Sequence, residues 1–169
     1  MNIIKKFLNK IDLNDAFFNS LRNDYANFNE WFLNKRKDGY FAYVTEDENS
    51  NITSFLLLKE EKCQDISDII EKSSLKKIKS KNKILKISTF KVTNTGKKIG
   101  TAYLEIAYIS AIEVKASIIY ITVYPKYKEF IKFLENNGFT LHKKVSDDFL
   151  KKGKSECDEE LVLIKDVLR

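Results

Sequence analysis

The residues best suited to chemistry lie in one run near the middle of the chain, Thr95-Gly96-Lys97-Lys98-Ile99-Gly100-Thr101-Ala102. Glycines at 96 and 100 let backbone approach a ligand closely, and a helical pattern opens at Ile99, whose first amides have no partner within a helix. Those amides and the helix dipole favour an anion, and Lys97 and Lys98 add full positive charges. A phosphate or pyrophosphate is the guest such a turn suits. It is not a Walker-type loop, because the GxxxxGK[ST] spacing is absent, and GxGxxG is absent as well. A glycine turn before a helix is also a common structural connector, so the turn alone leaves both readings open.

The charge distribution points to the same region. The formal net charge is +6, which suits a polyphosphate, nucleic acid or an anionic membrane surface. From Lys72 to Leu104 there is no Asp or Glu, while lysines stand at 72, 76, 77, 79, 81, 83, 86, 91, 97 and 98. This stretch reads first as a solvated surface, with ligand steering and nucleic-acid contact as its other readings. Cys63 and Cys157 are far apart, with no CxxC spacing and only His142 as an imidazole partner, so no metal site is expected. The two cysteines read as free thiols and His142 as a surface or edge residue. Met1 to Leu8 is too short for a signal segment and no later run approaches a membrane span, so a cytoplasmic location and no membrane partner are expected.

The elements that must position the turn follow from hydrophobic spacing. At 169 residues the chain is expected to be a single domain, 1–169. Ile11 to Lys37 predicts two short helices with a break near Asn27, and Trp31 with its aromatic neighbours reads as a core face rather than a base-stacking platform. Tyr40 to Val44 and Ile52 to Lys59 predict a hairpin around the polar stretch Thr45 to Asn51. A short helix is expected around Ile66 to Glu71, then an exposed connection over Lys76 to Lys83. Ile84 to Val92 predicts a central strand, and Ile99 to Val114 a helix with a small-residue stripe of Ala102, Tyr103, Ile106, Ala107, Ile109 and Ala111. Ser117 to Tyr124 is a strand covered on both faces. Lys126 to Asn137 is a helix started by Pro125 and ended by Asn137-Gly138. Phe139 to Val145 and Glu160 to Leu163 close as an antiparallel pair around a charged loop, Asp147 to Glu159.

With those residues in place, the chain resembles the GNAT superfamily of acyl-CoA-dependent N-acyltransferases. The family's Q/R-x-x-G-x-G/A signature, often seen within an RGxGIG run, corresponds to Thr95 through Gly100. Gly96, Ile99 and Gly100 match, Thr95 stands for the usual Arg or Gln, and Lys98 replaces a glycine. The helix ending that the family writes Y-e-k-x-G-F appears as Leu134-Glu135-Asn136-Asn137-Gly138-Phe139. The resemblance implies an α/β (α+β) fold with a mixed, mostly antiparallel central sheet flanked by helices, and acetyl-CoA as co-substrate. It implies that backbone around Phe90, Lys91 and Val92 pairs with the pantetheine arm, and that amides from Gly96 to Thr101 take the pyrophosphate. Nearby lysines would meet the 3′-phosphate.

The implied activity is transfer of an acetyl or other acyl group from the coenzyme A thioester to a primary amine on an unidentified small molecule or protein. The tyrosine that many members use as general acid corresponds to Leu134, which donates nothing, and Tyr127 is the nearest substitute by sequence. The strand Ile84 to Val92 carries no carboxylate, which leaves Glu60 and Glu61 as the closest candidates for a base. The other readings are a non-catalytic GNAT-like module that binds coenzyme A, motivated by Leu134 and Lys98, and a basic protein associated with RNA or DNA.

Overall fold

The computed structural model describes residues 2–62, 83–93, 98–145 and 160–167. Along the chain these form β1 (Ile4–Phe7), α1 (Asn19–Asp24), α2 (Phe28–Lys37), β2 (Phe41–Glu46), β3 (Ile52–Lys62), β4 (Lys83–Val92), α3 (Ile99–Glu113), β5 (Ala116–Val123), α4 (Lys128–Asn136), β6 (Thr140–Val145) and β7 (Glu160–Asp166). The strands form a seven-stranded sheet in the order β1-β2-β3-β4-β5-β7-β6. Among its described ladders, β4 with β5 is parallel, and β1 with β2, β2 with β3, β5 with β7 and β6 with β7 are antiparallel. This is the mixed, mostly antiparallel α/β architecture expected from the sequence. The expected helix at Ile66 to Glu71, most of the connection Lys76 to Lys83 and the loop Asp147 to Glu159 lie outside the described residues.

Two compact units divide the chain, one of Met1–Leu57 with Thr89–Leu104, the other of Leu58–Ser88 with Glu105–Arg169. The first is organised by aromatic residues. Phe18 is fully buried, with the rings of Phe17, Phe28, Phe32 and Phe55 at 5.3, 5.7, 5.5 and 5.4 Å. Phe28 and Phe32 recur four residues apart on α2, and Phe55 projects from β3, so helix and strand periods converge on one cluster. Trp31 packs partly buried against it, 5.6 Å from Phe28. Polar stitches hold the chain around this core: the Asp15 carboxylate accepts from the amides of Phe17 and Ile52, and the Arg36 guanidinium donates to the carbonyls of Leu8 and Ile11.

β1 is absent from the sequence expectation. Ile4-Lys5-Lys6-Phe7 is too short to show a period, and it becomes a strand because β2 offers a free edge, with Ile4 opposite Val44 and Phe7 opposite Phe41. Alternation in β3 is likewise obscured by the consecutive buried residues Ser54 to Leu57.

In the second unit, β5 is buried on both faces, as its unbroken β-branched and aromatic run requires. β7 enters between β5 and β6, where Leu163 lies opposite both Ile121 and Leu141. Helix α4 ends in a Schellman cap: the Gly138 amide donates to Glu135 and the Phe139 amide to Leu134, with Gly138 at φ +85°. Phe139 and Leu134 are both buried, which supplies the apolar contact that accompanies this cap. Helix α3 corrects the expected stripe. Tyr103, Leu104, Ala107 and Ala111 are buried, whereas Ile109 is 55% exposed and Ile112 also faces out, because the helix is apolar on nearly every side and its sequence does not mark the inner face.

The aromatic cluster sets the first prediction. Phe18→Ala removes the ring shared by four aromatic neighbours and is expected to cost about 3–5 kcal/mol in denaturant unfolding. A loss under ~1 kcal/mol would show that the cluster does not organise this core.

Candidate functional site

The site is built from the end of β4 and the start of α3, both in the first unit. The parallel ladder between β4 and β5 runs from Lys83 to Ile87, and β4 continues from Ser88 to Val92 beyond it. On the last residues the side chains are committed elsewhere. Phe90 stands edge-on to Tyr103 at 5.8 Å, and the Lys91 amine donates to the Phe17 carbonyl and lies 4.3 Å from the centroid of the Phe17 ring. Burial lowers the Lys91 pKa, the carboxylates of Asp15 and Asp24 oppose this, and Arg22 adds to the lowering. What Phe90, Lys91 and Val92 offer an incoming ligand is therefore chiefly main chain.

Thr95, Gly96 and Lys97 lie outside the described residues. Lys98, directly before α3, adopts φ +55°. A left-handed backbone is easy for glycine and costs about 1–2 kcal/mol for other residues. At the position where the family signature carries glycine, this chain thus keeps a glycine-like backbone with a lysine on it. The Lys98 carbonyl accepts from the Ala102 amide at 3.1 Å and so caps α3. The amides of Ile99, Gly100 and Thr101 precede that bond and have no partner inside the helix, so they form the positive end of its dipole. Ile99 is buried and anchors the first turn, while Thr101 is exposed.

The residues considered for proton transfer belong to the second unit. Tyr127 precedes α4 rather than lying within it, as the sequence suggested. Its carbonyl accepts from the Ile131 amide and its side chain is 40% exposed. The helix starts later than expected because Pro125 and Lys126 form a turn in which the Tyr127 amide returns to the Tyr124 carbonyl. Leu134 is fully buried. Glu60 pairs in the open with Lys83 at 2.9 Å. Glu61 is different: one carboxylate oxygen pairs with Lys59 at 2.8 Å and the other accepts from the Tyr120 hydroxyl. Burial works to raise the Glu61 pKa, but the hydrogen bonds from Lys59 and Tyr120 and the charge of Lys86 outweigh it and leave the group below its ordinary value. Tyr120 is pushed up, first by burial and then by the Glu61 carboxylate.

Tyr103 and Tyr120 are the polar residues that the sequence reading passes over as apolar. Each sits in a largely aliphatic run, and a buried tyrosine hydroxyl needs a partner, so each marked a polar contact inside an apparently apolar element.

Compared with solved structures, the chain has the fold of GNAT acetyltransferases. It superposes on Chaetomium thermophilum Naa20 in complex with a bisubstrate analogue with a TM-score of 0.68 and 16% identity, covering 98% of this chain and 86% of that one. Arabidopsis thaliana NAA60 in complex with acetyl-CoA gives 0.66 at 18% identity, over 98% of this chain and 99% of that one. A GNAT family acetyltransferase from Elizabethkingia anophelis with acetyl-CoA bound gives 0.64 at 13%, covering 98% of each chain. No family model matches the sequence, and no curated protein does.

Glu61 provides a pH test. Its pKa is lower folded than unfolded, so its stabilising contribution is complete above the ordinary carboxylate pKa and is lost as pH falls through the folded value. The stability advantage of wild type over Glu61→Gln in denaturant unfolding is therefore expected to be larger at pH 7 than at pH 3. A difference independent of pH would show that the ionised carboxylate does not stabilise the fold.

Proposed function

We propose that this chain is an N-acyltransferase, working as one domain over residues 1–169, that moves an acetyl group from acetyl-CoA to a primary amine. The observation that carries the reading is the way β4 outruns its ladder with β5 and the chain then re-enters helix at a left-handed Lys98. That arrangement puts strand-end main chain beside a helix N-terminus. The first suits the amides of a pantetheine arm and the second a pyrophosphate, for which the proposed binding residues are Thr95, Gly96, Lys97, Lys98, Ile99, Gly100 and Thr101. The acetyl-CoA held by fold neighbours supports the choice of ligand.

In the proposed reaction the amine nitrogen attacks the thioester carbonyl carbon, the C–N bond forms, the C–S bond breaks, and coenzyme A leaves as a thiolate. The amine gives up a proton to water or a carboxylate. A backbone amide near Val92 steadies the developing oxyanion, and proximity with electrostatics supplies most of the acceleration. A thiol has a reference pKa of about 8.5, so its anion leaves readily and a general acid counts for less than an oxyanion donor. Tyr127 fills the acid role in this proposal. The acceptor is an amine-bearing small molecule or protein, and the cytoplasm is the proposed compartment. Leu134 and Lys98 at signature positions, the first with no proton to donate, motivate one second reading, a module that binds coenzyme A without turning it over.

Calorimetric titration with acetyl-CoA tests the ligand. One site is expected, and Gly100→Asp should abolish or strongly weaken it by placing a side chain and a like charge at the helix start. Equal affinity in the two proteins would remove the proposal. Tyr127→Phe tests the acid: kcat on an amine substrate should fall about a hundredfold while acetyl-CoA affinity is kept. An unchanged kcat would assign protonation elsewhere, and no turnover by wild type across a broad amine panel would leave the binding module as the reading.

A further inference from the structure

A chain of hydroxyl groups lies between the two halves of the candidate site, all of it within the first unit. Thr93, directly after β4, donates through its amide and its hydroxyl to the Thr53 carbonyl, at 3.0 and 2.8 Å. The Thr53 hydroxyl meets that of Thr45 at 2.8 Å, and Thr45 meets Ser54 at 2.5 Å. Ser54 reaches the Tyr103 hydroxyl at 2.6 Å, and Tyr103 donates to the Tyr43 carbonyl at 3.0 Å. One consistent order of protons runs from Thr53 through Thr45, Ser54 and Tyr103 to that carbonyl, so Thr45, Ser54 and Tyr103 each accept and donate, while the Thr53 hydroxyl only donates and also lies 3.2 Å from the Thr45 carbonyl. Thr45 is 4% exposed, and Ser54 and Tyr103 are fully buried. Burial raises the Tyr103 pKa to about 12, against lowering by Ser54 and the Thr45 main chain, so the hydroxyl keeps its proton.

Successive strand residues normally point to opposite faces, so Thr53 and Ser54 should not share a partner. They do because the register between β2 and β3 slips there: Thr45 lies opposite Ser54, and Glu46 opposite Ile52. Thr53 is the extra residue of a bulge, a device that re-aims side chains and is common beside active sites. Its result is that adjacent residues of β3 hold the end of β4 and, one turn inside it, the start of α3.

We propose that Thr45, Thr53, Ser54 and Tyr103 are positioning residues, a clamp that fixes the end of β4 against the N-terminus of α3 and thereby raises affinity for the phosphate-bearing portion of coenzyme A. The inference rests on the acyltransferase reading above. None of the four is assigned to touch the ligand. Removing one hydroxyl releases the separation between strand end and helix start, which a rigid pyrophosphate senses more than pantetheine does.

The test is calorimetry with coenzyme A and with pantetheine on wild type, Thr45→Val, Tyr103→Phe, the double variant and Thr45→Ser. Thr45→Val and Tyr103→Phe should each weaken coenzyme A binding about threefold to tenfold, the scale of one hydrogen bond, with pantetheine affinity unchanged. The double variant should lose less than the product of the singles, since both cut one network, and Thr45→Ser should bind like wild type because it keeps the hydroxyl. Amide exchange at Thr93 and Ala102 should quicken in both single variants, a readout independent of any ligand. Where Tyr103→Phe does not fold, the near-isosteric Thr45→Val carries the comparison. Unchanged coenzyme A affinity with unchanged exchange, or equal loss for both ligands, overturns the clamp and leaves the acyltransferase reading standing. Failure of wild type to bind coenzyme A overturns both.

Discussion

β4 is longer than its parallel ladder with β5, and much of the architecture follows from that mismatch. A parallel pair leaves its two strands at the same end of the sheet and needs a crossover to join them, and α3 supplies it here. Past Ile87 the strand must satisfy its main chain by some means other than β5, while Phe90 and Lys91 turn their side chains to Tyr103 and Phe17. The chain then re-enters helix through a residue whose φ is positive although it is not glycine. That residue holds a charge beside the helix dipole at the expense of local backbone strain.

How much of this was legible depended on whether a residue's fate was decided nearby. The hairpin of β2 and β3, the break between α1 and α2, and the doubly buried β5 all carry local signals: polar turns, a gap in spacing, an unbroken β-branched run. Asn137-Gly138 was legible as a helix end and, with Phe139, as a family resemblance, since glycine permits the left-handed cap and the buried phenylalanine follows it. β1 was not legible because its reason for being extended sits in β2. The inner face of α3 was hidden by a sequence apolar all round, and the start of α4 by a turn that delays it past Tyr127. In the site, the helix start at Ile99 could be read from the residues, but the bulge that gathers Thr45, Thr53 and Ser54 could not. A register slip has no sequence signature when every residue involved is an ordinary strand former.

The polar groups inside the two units work differently. The hydroxyl cluster of the first unit is neutral, so enclosing it costs little once every proton has an acceptor. The second unit encloses a carboxylate, and Glu61 tolerates this because Lys59 and Tyr120 supply donors and Lys86 supplies field. Either arrangement rewards one arrangement of neighbours and penalises near alternatives, which apolar contacts alone do weakly.

The four residues of β1 stand at the margin of the sheet, where unpaired backbone is an invitation to a second chain. Lys5 reaches across to lie 3.6 Å from the centroid of the Phe41 ring, and Lys6 binds Glu46 at 2.5 Å. The strand is thus both very short and doubly cationic, the traits by which natural sheets discourage polymerisation. Trimming the chain from its amino end would transfer that margin to β2, a longer strand bearing Phe41 and Tyr43, and would turn a guarded boundary into an adhesive one.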